Sequence, residues 1–311
     1  MLLVSADVPA ETYPFQPIKI IVAQAPGGQN DTIARAFAQK LSELWQQPVV
    51  IINHGGVGGT IGAEIAARAP ADGYMLFFGG SNNLVLAPAL IHDLHYDPIR
   101  DFVAIGGVAR VAYALAVNAS VPVHDVPELV AYARAHPGRL NYGSSGIGST
   151  SGLGAELLIA ATGIDIVHIP YKGTAPAITE LVAGHIDLMF ADLSQLLPHA
   201  KTGALRLLAA AGEARAPAAP DLRTVGEQGI AGVAIDSWYG LLAPAGTSPE
   251  IVARLSDALT AIVRDPDFRQ RLVHLGYDPI DNRRQGLGAM IESDIRRYSG
   301  VIKRAGIKVK P

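Results

Sequence analysis

Short, continuously apolar, β-rich runs alternate with segments of helical period along nearly the whole chain. IKIIVAQ at 18–24 is followed by the loop APGGQND, and then by Ile33, Phe37, Leu41, Leu44 and Trp45 at helical spacing. PVVII at 48–52, the loop GGVGGT, a short helix over 61–69 closed by Pro70, and YMLFF at 74–78 continue the pattern. After a Pro- and Asp-rich stretch the series resumes with a strand over 111–118, a helix around 129–135, LNYG, the loop SSGIGST and a helix over 153–161. DIVHIP, a helix over 175–183, IDLMF at 186–190 and LRLLAAA at 205–211 complete it. Strand and helix taking turns in this way predicts an α/β fold of parallel-rich sheets covered by helices on both faces.

With 311 residues the chain is long enough for two such domains. Near Val233 a further strand, SWYGLLAP, leads into a long helix whose one face carries Ile251, Val252, Leu255, Leu259, Ile262 and Val263, and a last helix covers 286–304. The economical partition returns this coda to the first domain: 13–117 with 237–311 as one domain and 118–236 as the other. Two crossings near 117 and 236 then form a hinge, with a cleft between the domains.

Lys plus Arg number 25 against 28 Asp plus Glu, and the net charge of -3 offers no field to gather nucleic acid or an anionic membrane surface. The basic residues near the end (Arg296, Arg297, Lys303, Arg304, Lys308 and Lys310) read as a solvated helix face and tail. The chain has no cysteine, so disulfide scaffolds, thiol catalysis and Cys-based metal centres are excluded. No apolar run approaches the roughly 20 residues of a membrane-spanning helix. The opening MLLVSADVPAETYPFQP lacks the basic start and full apolar core of a signal peptide, and reads as the end of a trimmed one or as non-native sequence.

In open parallel sheets ligands bind beyond the carboxyl ends of the strands, where helix N-terminal amides are unpaired and carry partial positive charge. The loops in that position are rich in Gly, Ser, Thr and Asn: 25–30, 55–60, 81–83, 143–151 and 173–174. Glycine admits a close approach to the backbone, while hydroxyl and amide side chains donate without a full charge, so these loops suit a carboxylate. Asp31 is expected to stabilise the first turn of its helix rather than meet an anion. Ala191 and Asp192 stand at the end of the strand IDLMF; Asp192 either accepts from a ligand amine or hydroxyl or caps the next helix. Trp238 and Tyr239 either close a wall of the pocket or pack in a core. Tyr171 and Lys172 lie in a strand-to-helix loop, and Lys172 reads as solvated.

Enzyme signatures fail one by one. Gly56, Gly58 and Gly62, like Gly146, Gly148 and Gly152, give a spacing one residue too long for the dinucleotide motif. No phosphate-cradling G-x-x-x-x-G-K-[ST] occurs, and GSTSG puts Thr150 where the hydrolase elbow needs its serine. His92 and His95 fall in a connection without a metal-binding pattern, and neither His168 nor His199 supplies ligand spacing. Catalytic residues, metals and cofactors are therefore not expected.

The segments YPFQPIKIIVAQAPGGQND, QPVVIINHGGVGGTIGAEIAARAPADGYML, NYGSSGIGST, IVHIPYKGTAPAITELVAGHIDLMF and SWYGLLAPAGTSPEIV together resemble the Bug-type receptors of tripartite tricarboxylate transporters, in order from about Tyr13 to the C-terminus. The resemblance implies a periplasmic, monomeric, two-domain binding protein of Venus-flytrap form. Such a protein closes on a small organic carboxylate and delivers it to two integral-membrane permease subunits; a carboxylate-sensing receptor feeding a two-component signalling system is the alternative, and after it an enzyme on the same scaffold. It also implies that one ligand carboxylate is held between Pro26, Gly27, Gly28 and Gln29 on one side and Ser145, Gly148, Ser149 and Thr150 on the other. Gln24, Ser81, Asn82 and Asn83 add polar wall, and Tyr171, Ala191, Asp192 and Trp238 complete the candidate ligand-binding set. An aliphatic dicarboxylate is the first expectation, an aromatic carboxylate the second and an amino acid the third.

Overall fold

The computed structural model describes residues 13–91, 93–146, 148–280 and 284–305. Residues 1–12, His92, Lys308 and Lys310 lie outside the described residues, as does the side chain of Arg304. Strand β1 (Ile18–Val22) leads into helix α1 (Gln29–Trp45), β2 (Val49–Asn53) into α2 (Thr60–Ala67), and β3 (Met75–Gly80) into a π-helical turn at Asn82–Leu86 that runs on as the single turn α3 (Ala87–Leu90). A long strand, β4 (Phe102–Asn118), follows. Next come α4 (Val126–Ala135), β5 (Asn141–Ser144), α5 (Thr150–Thr162), β6 (Val167–Pro170), α6 (Thr174–Ala183), β7 (Leu188–Asp192), α7 (Leu193–Lys201) and β8 (Leu205–Ala210). The chain closes with β9 (Asp236–Pro244), α8 (Pro249–Arg264), α9 (Pro266–His274), the short β10 (Asp278–Pro279) and α10 (Arg284–Ala305). Among the described residues no helix is long and apolar enough to cross a membrane.

Two parallel trios organise the sheets. β1 pairs in parallel with β2 and β3, and β5 pairs in parallel with β6 and β7. Each trio is completed by antiparallel strands, β9 beside β3 and β4 beside β7. β4 belongs to both assemblies. From Phe102 to Ala112 it pairs with β9, and from Tyr113 onward with β7 and β8. The chain therefore passes from one sheet to the other at Ala112–Tyr113, and returns just ahead of Asp236, where β9 begins opposite Ala112.

The apolar runs form central strands because both faces are covered. Ile18, Ile20, Ile21 and Val22 of β1 are all buried, whereas β2, at the edge, is half-exposed. In the second sheet the period of two distributes alternate residues to different cores. Leu115, Val117, Leu188 and Phe190 join the large core, while Ala114, Ala116, Met189 and Ala191 face a smaller one with Ile178, Leu181 and Leu196. Side-chain caps set several helix starts: Asp125 accepts from the Glu128 amide, Ser149 from Gly152, Asp192 from Ser194, Ser248 from Ile251 and Asp265 from Phe268. The two assemblies touch behind the crossings at Gly276, whose φ is +82° and where a Cβ atom would overlap Ser194, so only glycine fits there.

Candidate functional site

The carboxyl ends of β1 and β3 in one sheet and of β5 and β7 in the other carry the loops that meet at the junction. At the end of β1, Gln24 folds back over Gly28, filling the space a Cβ would need, and its Oε1 accepts from the Asn30 amide at 2.8 Å. Asp31 fastens the same loop. Its Oδ2 accepts from the Gly27 amide at 2.8 Å and from Arg35 Nε at 2.9 Å, and its Oδ1 accepts from Asn53 Nδ2 at 2.8 Å. Burial alone would raise its pKa, but hydrogen bonds from Arg35, Gly27 and Asn53 outweigh it and hold the carboxylate below its usual value. Pro26 and Gly27 form an exposed tip, whereas Gln29 and Asn30 are buried. Gln29 accepts through Oε1 from the Tyr239 hydroxyl at 3.2 Å, and its Nε2 is a buried donor with no protein partner among the described residues.

The opposing loop, between β5 and α5, is held by hydroxyls. Ser149 caps α5 by accepting from Gly152 at 3.2 Å and donates to the Gly146 carbonyl at 2.6 Å. Ser151 Oγ accepts from the Ser145 amide at 2.9 Å and lies 3.0 Å from the hydroxyls of both Ser145 and Ser149. Gly148 is half-exposed. Behind the loop, Ser144 Oγ lies 2.7 Å from His168 Nε2, and the imidazole stacks on Tyr142. Burial there lowers the His168 pKa.

Asn82 joins the two sides. Its Oδ1 accepts from the Thr150 amide at 3.1 Å and from Thr150 Oγ1 at 2.6 Å, so the first amide of α5 is met by a neutral acceptor from the other assembly. The neighbouring turn is anchored in place: Ser81 Oγ lies 2.7 Å from Ser237 Oγ and accepts from the Trp238 amide at 3.2 Å, and Asn83 Oδ1 accepts from Gly80 at 3.0 Å. The Tyr96 hydroxyl donates to the Asn83 carbonyl.

Asp192 is fully buried at the end of β7. Its Oδ1 accepts from the Ser194 amide at 2.9 Å, and its Oδ2 has no hydrogen-bond partner among the described residues. Tyr113 lies opposite it in the β4–β7 register. Burial raises the Asp192 pKa to about 7, against the lowering effect of Ser194. The hydrogen-bonding partners of Gln29, Asn82, Thr150 and Asp192 are thus all neutral groups.

Other expected residues stand differently. Trp238 is buried and donates from its indole to Asp294 Oδ2 at 2.9 Å, which turns it toward α10. Ala191 is buried opposite Ala114. Tyr171 is half-buried with its amide on the Ser144 carbonyl, and Lys172 is exposed. His95 is paired with Glu64 at 3.4 Å. Tyr113, Ser237 and Tyr277 were not among the expected site residues. Tyr113 is nonetheless marked in the sequence as the lone aromatic of an alanine-rich strand, VAYALAVN.

A family model described as "Tripartite tricarboxylate transporter family receptor" matches residues 33–307. Protein BugT of Bordetella pertussis is 31% identical over 308 residues, covering 99% of this chain and 94% of that one. The structure of R. palustris Rpa4515 with adipate superposes with a TM-score of 0.90 at 35% identity, covering 95% of this chain and 99% of that one. MatC (Rpa3494) from Rhodopseudomonas palustris with bound malate gives a TM-score of 0.86 at 31% identity, over 93% of this chain and all (100%) of that one.

Proposed function

Since the chain belongs to the tripartite tricarboxylate transporter receptor family, we propose that it captures a small organic carboxylate between its two sheet assemblies and hands it to a two-subunit membrane permease. Its fold is the α/β fold of the periplasmic binding proteins, and its relatives are solute-binding receptors, not enzymes. An aliphatic dicarboxylate is the favoured ligand. Adipate and malate in two structural relatives support that class.

One observation carries the reading: Thr150, at the unpaired start of α5, is met across the junction by Asn82. Helix N-terminal amides offer an anion partial positive charge without the desolvation cost of a buried cation. A ligand carboxylate replaces the Asn82 amide oxygen at Thr150 and takes the free Gln29 Nε2 donor from the other side. The two lobes, 13–117 with 237–311 and 118–236, close about the two crossings. The change of sheet at Ala112–Tyr113 and the return at Asp236 support a hinge at those residues.

Thermal unfolding of ligand-stripped protein against aliphatic dicarboxylates, aromatic carboxylates and amino acids tests this. A ligand at 100 times its Kd adds about 2.7 kcal/mol of stability. A shift confined to dicarboxylates is the expected result, whereas a panel with no shift counts against the carboxylate reading as a whole.

A further inference from the structure

Asp192 is an ionisable group that the carboxylate reading leaves without a role. It is fully buried, one oxygen is spent capping α7, and among the described residues Oδ2 has no hydrogen-bond partner. The titratable groups facing it are tyrosines from three parts of the fold: Tyr113 on β4, Tyr239 on β9 and Tyr277 after α9. No lysine, arginine or histidine among the described residues compensates its charge. One hydrogen bond leads from this cluster to the proposed ligand: Tyr239 donates to Gln29. β5 and β7 are parallel neighbours, so Asp192 ends its strand on the same edge as the serine loop. Ser194, whose amide donates to the capping Asp192, packs on Gly276 where the assemblies meet.

We propose that ligand capture is coupled to uptake of one proton by Asp192, so that the closed, loaded form holds this side chain as a neutral carboxylic acid. The inference rests on the carboxylate reading above. An anion seated at Thr150 brings a second negative charge to a dry cluster of neutral groups, and two nearby carboxylates do not both remain ionised at low cost. The proton comes from solvent and resides on Oδ2, the buried oxygen without a hydrogen-bond partner among the described residues. Because the free carboxyl already titrates near neutrality, at about 7, the coupling operates at ordinary working pH. Ligand carboxylates ionise well below that, and burial keeps His168 below the usual histidine range, so neither titrates in the same interval.

The test is calorimetric titration of the full chain with adipate, and separately with malate, between pH 6.5 and 8.5 in two buffers of different ionisation enthalpy. The expected result is affinity roughly tenfold weaker at the upper pH, with uptake approaching one proton per ligand. Asp192→Asn is expected to bind with no pH dependence and no proton uptake, and more tightly than the parent at pH 8.5. Proton uptake is read on the unaltered protein, so the test stands even if the variant folds poorly. PH-independent binding without uptake overturns the coupling alone, as does a slope that survives in Asp192→Asn. Failure of both dicarboxylates to bind at any pH overturns the ligand reading, and this inference with it.

Discussion

At the start of α1 the loop is fastened by a charge, and at the start of α5 by hydroxyls. Asp31 accepts from the Gly27 amide, pairs with Arg35 and accepts from Asn53, so the positive end of α1 is already opposed by a carboxylate. α5 has no acidic residue in its first turn; Ser149 and Ser151 shape the loop and Asn82 meets Thr150. The two helix starts look alike in sequence, each following a Gly-rich loop, yet only the second presents an anion with an end that carries no charge of its own. On the proposed carboxylate reading, one loop is a fixed jaw and the other the receptive one.

Removing the charge from the fixed jaw is the strongest way to break that contrast. Asp31→Ala removes the acceptor of the Gly27 amide, Arg35 Nε and Asn53 Nδ2, and at about 1 kcal/mol per bond should cost about 3 kcal/mol in urea unfolding. The sign with pH follows from the depressed pKa: Asp31 contributes stability above the unfolded carboxylate range and loses it as pH falls through its lower folded value.

The behaviour of Asp192 should be opposite. Its folded pKa, about 7, is raised above the unfolded value, so its stabilising contribution is present at low pH and is lost as pH rises toward 7. Relative to Asp192→Asn, the parent should lose on the order of 2 kcal/mol between about pH 5.5 and 8. A constant gap across that range would mean the carboxyl titrates elsewhere.

In the receptive loop, Ser149→Ala removes a helix cap and should lower stability by about 1 kcal/mol. Thr150→Ala, whose hydroxyl serves the junction, should instead weaken dicarboxylate binding by roughly 1 kcal/mol with a smaller effect on unfolding. Equal effects on both readouts from both variants would erase the division of labour. Lys172→Ala is the smallest change, under about 0.5 kcal/mol in affinity, because its exposed ammonium is screened by water.

The parallel trios were legible because runs such as LMF are apolar throughout and IKIIV is interrupted only by Lys19, a pattern that strands covered on both faces require. Helix α9 escaped notice because only Phe268 and Leu272 of its nine residues are buried, too few to mark a period. The turn at Asn82–Leu86 read as a loop because asparagines open it and Pro88 follows. Within the site, polar loops announced donors but not their occupation. Whether Ser149 serves a ligand or its own helix depends on contacts with Gly146 and Gly152, and the serine is the same letter in either case. Tyr113, Asp192 and Tyr277 are brought together by tertiary packing alone, and no local spacing records that.

The placement of β9 between β3 and β4 also bears on the order in which the molecule is finished. Until 236–244 is available, β3 and β4 have no strand between them, and the first sheet stands as two pieces with open edges. The second sheet draws all of its strands from 113–210 and is complete long before. A chain made or threaded from its N-terminus can therefore complete its second sheet before its first, which closes only when the last quarter of the chain arrives.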